Sequence, residues 1–276
     1  MPLPRDLWVT PLAGVVGGYL ASLAGWPLPW MVGSLLAVIL VRCLANRAFS
    51  ELPGGRKAGQ WLVASGIGLH FTSEVLEQVL SHLPVIVMGA FGTLLLSLIG
   101  IAILRRAGVD RATAFFASMP GGASEMVNLA LRHEAQPARV AAAHSLRLLL
   151  VVLLIPALFT WGLPAVSAPP PLPVDWTWLL ALLAAGGLLA LLWARLKQPN
   201  PWMLGPLTAC ALASATFDLH IGLPPGLGQL GQWLIGCALG CHFDRAFFRS
   251  APGFLARVLL FTLLAMLAAA LLGEAL

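Results

Sequence analysis

The residues of this chain best able to do chemistry lie in one short segment, Ser118-Met119-Pro120-Gly121-Gly122-Ala123-Ser124-Glu125-Met126-Val127-Asn128. Pro120 removes a backbone donor, and Gly121 and Gly122 tolerate unwound geometry, so amides and carbonyls are freed where a permeating ion or solute could meet them. Ser118, Ser124, Glu125 and Asn128 add side-chain oxygens. Ser124 and Glu125 would open the half-helix after the break, whose positive end attracts anions. Farther along, His144 and Arg147 stand three residues apart in an otherwise apolar stretch, hence on one helix face. Imidazole and guanidinium on that face could hold Glu125 or bind an anion. Both readings have a plainer rival. The Pro-Gly-Gly segment could be a turn outside a membrane, with Ser124 and Glu125 capping the next helix, and His144 with Arg147 could reach from a helix end to lipid headgroups.

A second set of candidates stands out because it occurs twice. Pro29-Trp30-Met31-Val32-Gly33 is echoed by Pro201-Trp202-Met203-Leu204-Gly205, Gly59-Gln60-Trp61-Leu62 by Gly231-Gln232-Trp233-Leu234, and Gly68-x-His70-Phe71 by Gly240-x-His242-Phe243. One offset of 172 residues, without a gap, relates all three pairs and also Pro53-Gly54 with Pro225-Gly226. Gln60, His70, Gln232 and His242 sit in segments that are only briefly apolar, and paired short segments are the pointer to a transporter's site. The default for each histidine is a hydrogen-bonded packing residue. Pro29, Trp30 and Gly33, with Pro201, Trp202 and Gly205, read as structure: Pro suits a first helical turn, Trp anchors at a membrane interface and Gly permits close helix contact.

The elements that must position these groups are set by composition. With 59% hydrophobic and 10% charged residues, the chain lacks the roughly one-quarter charged content of soluble domains, so its solvent is lipid. Continuous apolar runs without alternation, such as Leu146 to Leu158 and Leu179 to Leu192, specify helices rather than barrel strands. Crossings are expected near 8–24, 29–45, 59–80, 83–104, 140–163, 176–194, 201–217, 229–243 and 253–273, which makes an all-α polytopic membrane helix bundle. The net charge of +5 comes from basic residues at the ends of apolar runs, a topology signal rather than a nucleic-acid surface. Cys43, Cys210, Cys237 and Cys241 show no CxxC spacing. No nucleotide-binding loop, metal-spaced cluster or nucleophile with a nearby base is present, so neither an enzyme nor a metal or other cofactor is expected.

Basic loops then orient the two copies. Arg42, Arg47, Arg56 and Lys57 lie in a connection whose counterpart, 218–228, has no Lys or Arg, while Arg195 and Lys197 face the bare 25–28. Arg245, Arg249 and Arg257 have no basic counterpart between 58 and 104. The copies therefore read as inverted-topology repeats of about five helices: 1–163, a proline-rich linker 164–175, and 176–276. A cytoplasmic N-terminus requires one crossing between Arg105-Arg106 and the linker, so 112–131 reads as a re-entrant pair of half-helices and 140–163 as the crossing. At the shared offset Leu276 corresponds to Leu104, so the second repeat is expected to be truncated. Inverted repeats are the architecture of many secondary transporters, which favours a carrier of a small solute or ion.

The duplicated Pro-Trp-Met-x-Gly and Gly-Gln-Trp-Leu blocks, with Pro120-Gly121-Gly122-Ala123-Ser124-Glu125-Met126, make the chain resemble the AbrB membrane-protein family. The resemblance implies a bacterial inner-membrane protein related to cation-proton antiporters and anion transporters. It also brings two conflicting labels. One is a regulator of gene expression, which would act through a partner protein; the other is an ammonia monooxygenase, disfavoured because the sequence shows no metal site. The soluble DNA-binding regulator of similar name is a different protein, and nothing here looks like its small β fold. A homodimer could supply surface missing from the second repeat.

Overall fold

The computed structural model describes residues 5–47, 49–162 and 172–275. Its helices are α1 (Val9–Leu23), α2 (Pro29–Ala45), α3 (Gly55–Leu69), α4 (Ser73–Ser81), α5 (Leu83–Arg106), α6 (Arg111–Ser118) and α7 (Ala123–Arg132). There follow α8 (Pro137–Gly162), α9 (Trp176–Arg195), α10 (Pro201–Phe217), α11 (Leu227–Gly240), α12 (Arg245–Ser250) and α13 (Pro252–Ala275). No strand occurs among the described residues. Helices α5, α8, α9 and α13 are long and apolar enough to cross a membrane, and α1 and α2 are shorter apolar helices. Most of the 164–175 linker lies outside the described residues.

One expected crossing, 59–80, is corrected. Helix α3 stops at Leu69, where the amides of His70 and Phe71 turn back onto the carbonyls of Ile67 and Gly68. Residues 73–81 form a separate helix instead. Glu74, Glu77 and Gln78 lie on it, and they are too polar to continue an apolar crossing. At about 1.5 Å per residue α3 is roughly 22 Å long, short of the ~30 Å hydrocarbon thickness.

The chain divides into two compact units, residues 1–79 with 156–245 and residues 80–155 with 246–276. The first unit takes α1 to α3 from one sequence copy and α9 to α11 from the other, and the backbone repeats at the 172-residue offset. Helix α10 begins and ends 172 residues after α2. The left-handed positions recur in the same register: Gly25 with Lys197 (φ 64° and 54°), Leu28 with Asn200 (47° and 46°), Asn46 with Asp218 (51° and 50°) and Gly54 with Gly226 (73° and 90°).

Small residues set the helix contacts in this unit, as expected where lipid removes the hydrophobic drive and close backbone approach is what remains. Gly17 lies against Gly33 between α1 and α2, and Ala190 against Gly205 between α9 and α10. Gly240 packs on Val38 of α2, and Gly68 packs on Cys210 of α10. Between α3 and α11, a methyl added at Gly59 would stand 2.8 Å from the Gly231 carbonyl oxygen, and one at Gly231 would stand 3.2 Å from the Gly59 oxygen. Gly55 approaches Leu234, whereas Gly231 approaches Leu62 and Val63. Rising positions on α3 therefore meet falling positions on α11, and the two helices run antiparallel where they touch. Polar bonds close the ends: Arg42 Nε donates to the Phe243 carbonyl (3.1 Å), and Ser214 Oγ, at the equivalent position of α10, donates to the Leu69 carbonyl (3.1 Å).

The second unit consists of α5, α6, α7, most of α8, most of α12, and α13. Its core gathers Leu104, Val109, Ala114, Val140, Phe254 and Val258, which lie near the arginine-bearing ends of these helices. Gly59→Leu forces a side chain into the α3–α11 contact and should destabilise the protein by about 1–3 kcal/mol. Gly89→Leu, where nothing lies within 4 Å of an added methyl, serves as the control. Thermal unfolding in detergent micelles should show a lower melting temperature for the first variant only; equal melting temperatures would contradict the close-contact account.

Candidate functional site

The Pro120-Gly121-Gly122 segment is the tip of a hairpin in the second unit. Asp110 begins it as the N-cap of α6, its Oδ1 accepting from the Thr113 amide (2.8 Å). Helix α6 runs for eight residues to Ser118, the chain turns through 119–122, and α7 returns for ten. Two bonds show the return: the Gln136 amide donates to Thr113 Oγ1 (2.8 Å) and Gln136 Nε2 to Asp110 Oδ2 (3.2 Å). The His133 ring stacks on Phe116 with centroids 5.7 Å apart. The chain leaves the hairpin where it entered.

Ending α6 at Ser118 strands carbonyls that an unbroken helix would satisfy. Helix α8 supplies the donors. His144 Nε2 donates to the Phe116 carbonyl (2.9 Å), which fixes the proton on that nitrogen. Arg147 Nη1 donates to Ser118 (2.9 Å) and Met119 (3.2 Å) and lies 3.5 Å from the Ala117 carbonyl. A cation at a helix C-terminus also meets the negative end of the peptide dipoles. The guanidinium carbon lies 5.7 Å from the centroid of the Phe261 ring on α13.

Beside this end lies a cavity of about 160 Å³, lined by Ser118 and Pro120 of the hairpin, Arg147 of α8, Thr93 and Ser97 of α5 and Thr262 of α13, with apolar neighbours. Thr93, Ser97 and Thr262 donate their hydroxyl hydrogens to carbonyls of their own helices, at 2.7, 2.6 and 2.7 Å. Ser118 is fully buried, and its Oγ has no hydrogen-bond partner among the described residues. Gly100 leaves room for it, since a methyl there would stand 2.9 Å from Ser118 Oγ.

The structure brings together Ser118, Pro120, His144 and Arg147 and leaves other sequence candidates apart. Glu125 is exposed in the first turn of α7 and forms no ion pair with His144 or Arg147 among the described residues, so the expectation that these two hold it is corrected: their acceptors are the α6 carbonyls. Gly121 packs on Met126, and Gly122, which has no side chain, is the N-cap of α7. Asn128 is exposed, and the Ser124 side chain lies outside the description.

The duplicated candidates are in the first unit. Gln60 and Gln232 are half-buried. His70 Nδ1 donates to the Gly66 carbonyl (2.7 Å) and His242 Nδ1 to the equivalent Ala238 carbonyl (3.0 Å), so each histidine closes the end of its own helix. Pro29 and Pro201 occupy first helical turns after left-handed residues, and Trp202 meets Trp61 edge to face at 6.4 Å. Trp30, with Gln229, Leu230 and Trp233, lines an open apolar groove. Sequence reasoning missed Thr93, Ser97, Thr262 and Gly100. Single hydroxyls in apolar helices routinely bond their own backbone, so nothing local marks them.

Among the described residues no group of three or more His, Cys, Asp or Glu side chains is placed to hold a metal ion.

Comparison with known proteins places the chain among its relatives. The family described as "Transition state regulatory protein AbrB" matches residues 30–276. The "Uncharacterized protein YhjN" of Bacillus subtilis (strain 168) is 29% identical over 278 residues, covering 89% of this chain and 71% of its own length. The "Putative regulator AbrB" of Escherichia coli (strain K12) is 28% identical over 222 residues, covering 76% of this chain and 63% of its own length, so the chain spans less than two thirds of that relative. No solved structure matches.

The hairpin's base carries a pH signature. Partial burial works to raise the Asp110 pKa, but bonds from the Thr113 amide and hydroxyl and from Gln136 outweigh it and hold the carboxyl below its ordinary value. A depressed folded pKa gives stability that is full above the unfolded value of about 4 and lost as pH falls through the folded one. Asp110→Ala should cost about 1 kcal/mol of hairpin stability at neutral pH. Hydrogen exchange across 110–136 should show faster opening in the variant at pH 7 and a smaller difference near pH 3; a difference that does not shrink on acidification would contradict the assignment.

Proposed function

The chain belongs to the AbrB family, and from that premise we propose that it is a membrane-embedded secondary transporter or channel-like carrier of a small solute or ion, with its site at the tip of the α6–α7 hairpin. The observation that carries this reading is the broken helix itself. Exposed backbone ends are tolerated at membrane depth only where they are buried in protein or line a cavity, and the α6 end does both, beneath Arg147 and beside Ser118.

Depth along the helices supports it. Arg147 lies ten residues into α8 from Pro137, Thr262 ten into α13 from Pro252, and Ser97 nine from the Arg106 end of α5. At about 1.5 Å per residue each lies roughly 15 Å from a helix end marked by Arg105, Arg106, Arg111, Arg139 or Arg249, half of a ~30 Å hydrocarbon core. With those ends at the headgroups, the cavity falls at the midplane, where secondary transporters place their sites. The antiparallel contact of α3 with α11, whose sequences correspond at the 172-residue offset, supports inverted repeats. The excess of Lys and Arg at the hairpin base favours reading that end as facing the cytoplasm of a bacterial inner membrane, and the basic loops of the first repeat favour a cytoplasmic N-terminus.

One observation favours a second reading. The Escherichia coli relative is named as a regulator, and this chain could act likewise through a partner protein without moving solute. Reconstituted flux separates the two. Proteoliposomes containing the protein are screened for uptake of labelled methylammonium, rubidium, acetate, nitrate and phosphate, alongside Arg147→Gln. The carrier reading predicts uptake of at least one probe above empty liposomes and a loss of about tenfold or more in the variant. Wild-type protein that is folded and moves none of them, together with a cytoplasmic partner captured reproducibly, would favour the regulator.

A further inference from the structure

We propose that the hairpin-tip cavity binds a compact oxyanion, an inorganic one or a short carboxylate, held by Arg147 and Ser118. The proposal rests on the hairpin tip being the functional site and names the ligand class for it.

Charge comes first. Arg147 brings a full positive charge to the cavity wall, and among the described residues no carboxylate pairs with it or with His144. The α6 carbonyls take up hydrogen bonds and a partial negative end, worth roughly half a charge, and leave the remainder uncompensated. An unpaired cation at membrane depth is costly, whereas a bound anion balances it. The same charge repels cations, although the hydroxyls around the cavity would otherwise suit one.

Donor geometry points the same way. Among the described residues Arg147 donates hydrogen bonds through Nη1 alone, so the Nε and Nη2 hydrogens of a planar fork remain for a ligand. Ser118 Oγ is fully buried on the cavity wall without a partner, one further donor whose desolvation a ligand oxygen would offset. Thr93, Ser97 and Thr262 have committed their hydrogens to backbone, and they keep the wall polar without adding donors.

Size narrows the class. A volume of about 160 Å³ is roughly five times a water molecule's share of the liquid, ~30 Å³. That suits an anion of about four or five heavy atoms, such as nitrate, acetate or phosphate. Planar nitrate and acetate match the guanidinium fork, and tetrahedral phosphate tests how far shape matters.

The test uses the full chain in nanodiscs. Thermal unfolding is followed with nitrate, acetate or phosphate against bulky gluconate at constant ionic strength, and with sodium exchanged for potassium or choline. Titration calorimetry follows with whichever anion stabilises. The proposal predicts stabilisation by at least one compact oxyanion and indifference to the cation. Affinity should weaken about tenfold or more in Arg147→Gln and about tenfold in Ser118→Ala, because each removes a bond to a charged ligand. Ser118→Ala deletes one atom in a buried site and keeps the test open should the arginine variant fail to fold. Equal melting in every anion, or anion effects unchanged in both variants, would overturn the proposal. Binding without liposome flux removes the carrier reading and leaves this site standing; flux without anion binding does the reverse.

Discussion

The second unit is organised around the capping of a broken helix end by a cation. A helix that stops after eight residues leaves carbonyls with no partner, and in hydrocarbon no water replaces them. His144 and Arg147, one turn apart on α8, donate to the carbonyls of Phe116, Ser118 and Met119. Their bonds hold α8 beside α6, and Gln136 closes the hairpin at its base through Thr113 and Asp110. Without those donors the Pro120-Gly121-Gly122 break would be a liability. With them it is a polar tip that opens onto a cavity.

The first unit meets a related constraint by different means. Lipid is as apolar as the side chains it replaces, so helices there associate through close backbone approach. Gly33 against Gly17, Gly205 against Ala190 and Gly59 against Gly231 are such contacts, and Gly33 with Gly205 and Gly59 with Gly231 are pairs at the 172-residue offset. This explains why glycine rather than a larger apolar residue occupies the duplicated positions. It also explains why helices as short as α3 and α11 hold together: their length is limited, but their separation is small.

Much of this was legible in the residues. Apolar runs bounded by Lys and Arg gave helices α5, α8, α9 and α13 almost to their ends, because hydrocarbon thickness fixes how long such a run must be. Pro120-Gly121-Gly122 gave the hairpin, since a Pro that lacks a donor followed directly by two Gly disfavours continuing a helix. What could not be read was whom the charged groups would meet. Glu125 is the obvious partner for Arg147 by charge, yet the stranded carbonyls of α6 claim it, and they exist only once the break is built in three dimensions. The 59–80 crossing failed because its first half is apolar enough to suggest a span, while Glu74 and Glu77 force a new helix after His70. Thr93, Ser97 and Thr262 were invisible because a hydroxyl bonded to its own helix leaves no trace in spacing.

A carrier built on the hairpin needs its tip deep in the bilayer with Arg147 beneath it. Depth can be measured directly by a nitroxide attached at Ala123→Cys, an exposed position at the tip, through its relative collision rates with oxygen and with a polar nickel complex in lipid. The expected depth is about 15 Å below the headgroups, close to the middle of a ~30 Å core. A label at headgroup level, freely reached by the nickel complex and shielded from oxygen, would mean that the hairpin is a surface turn, and it would contradict the account.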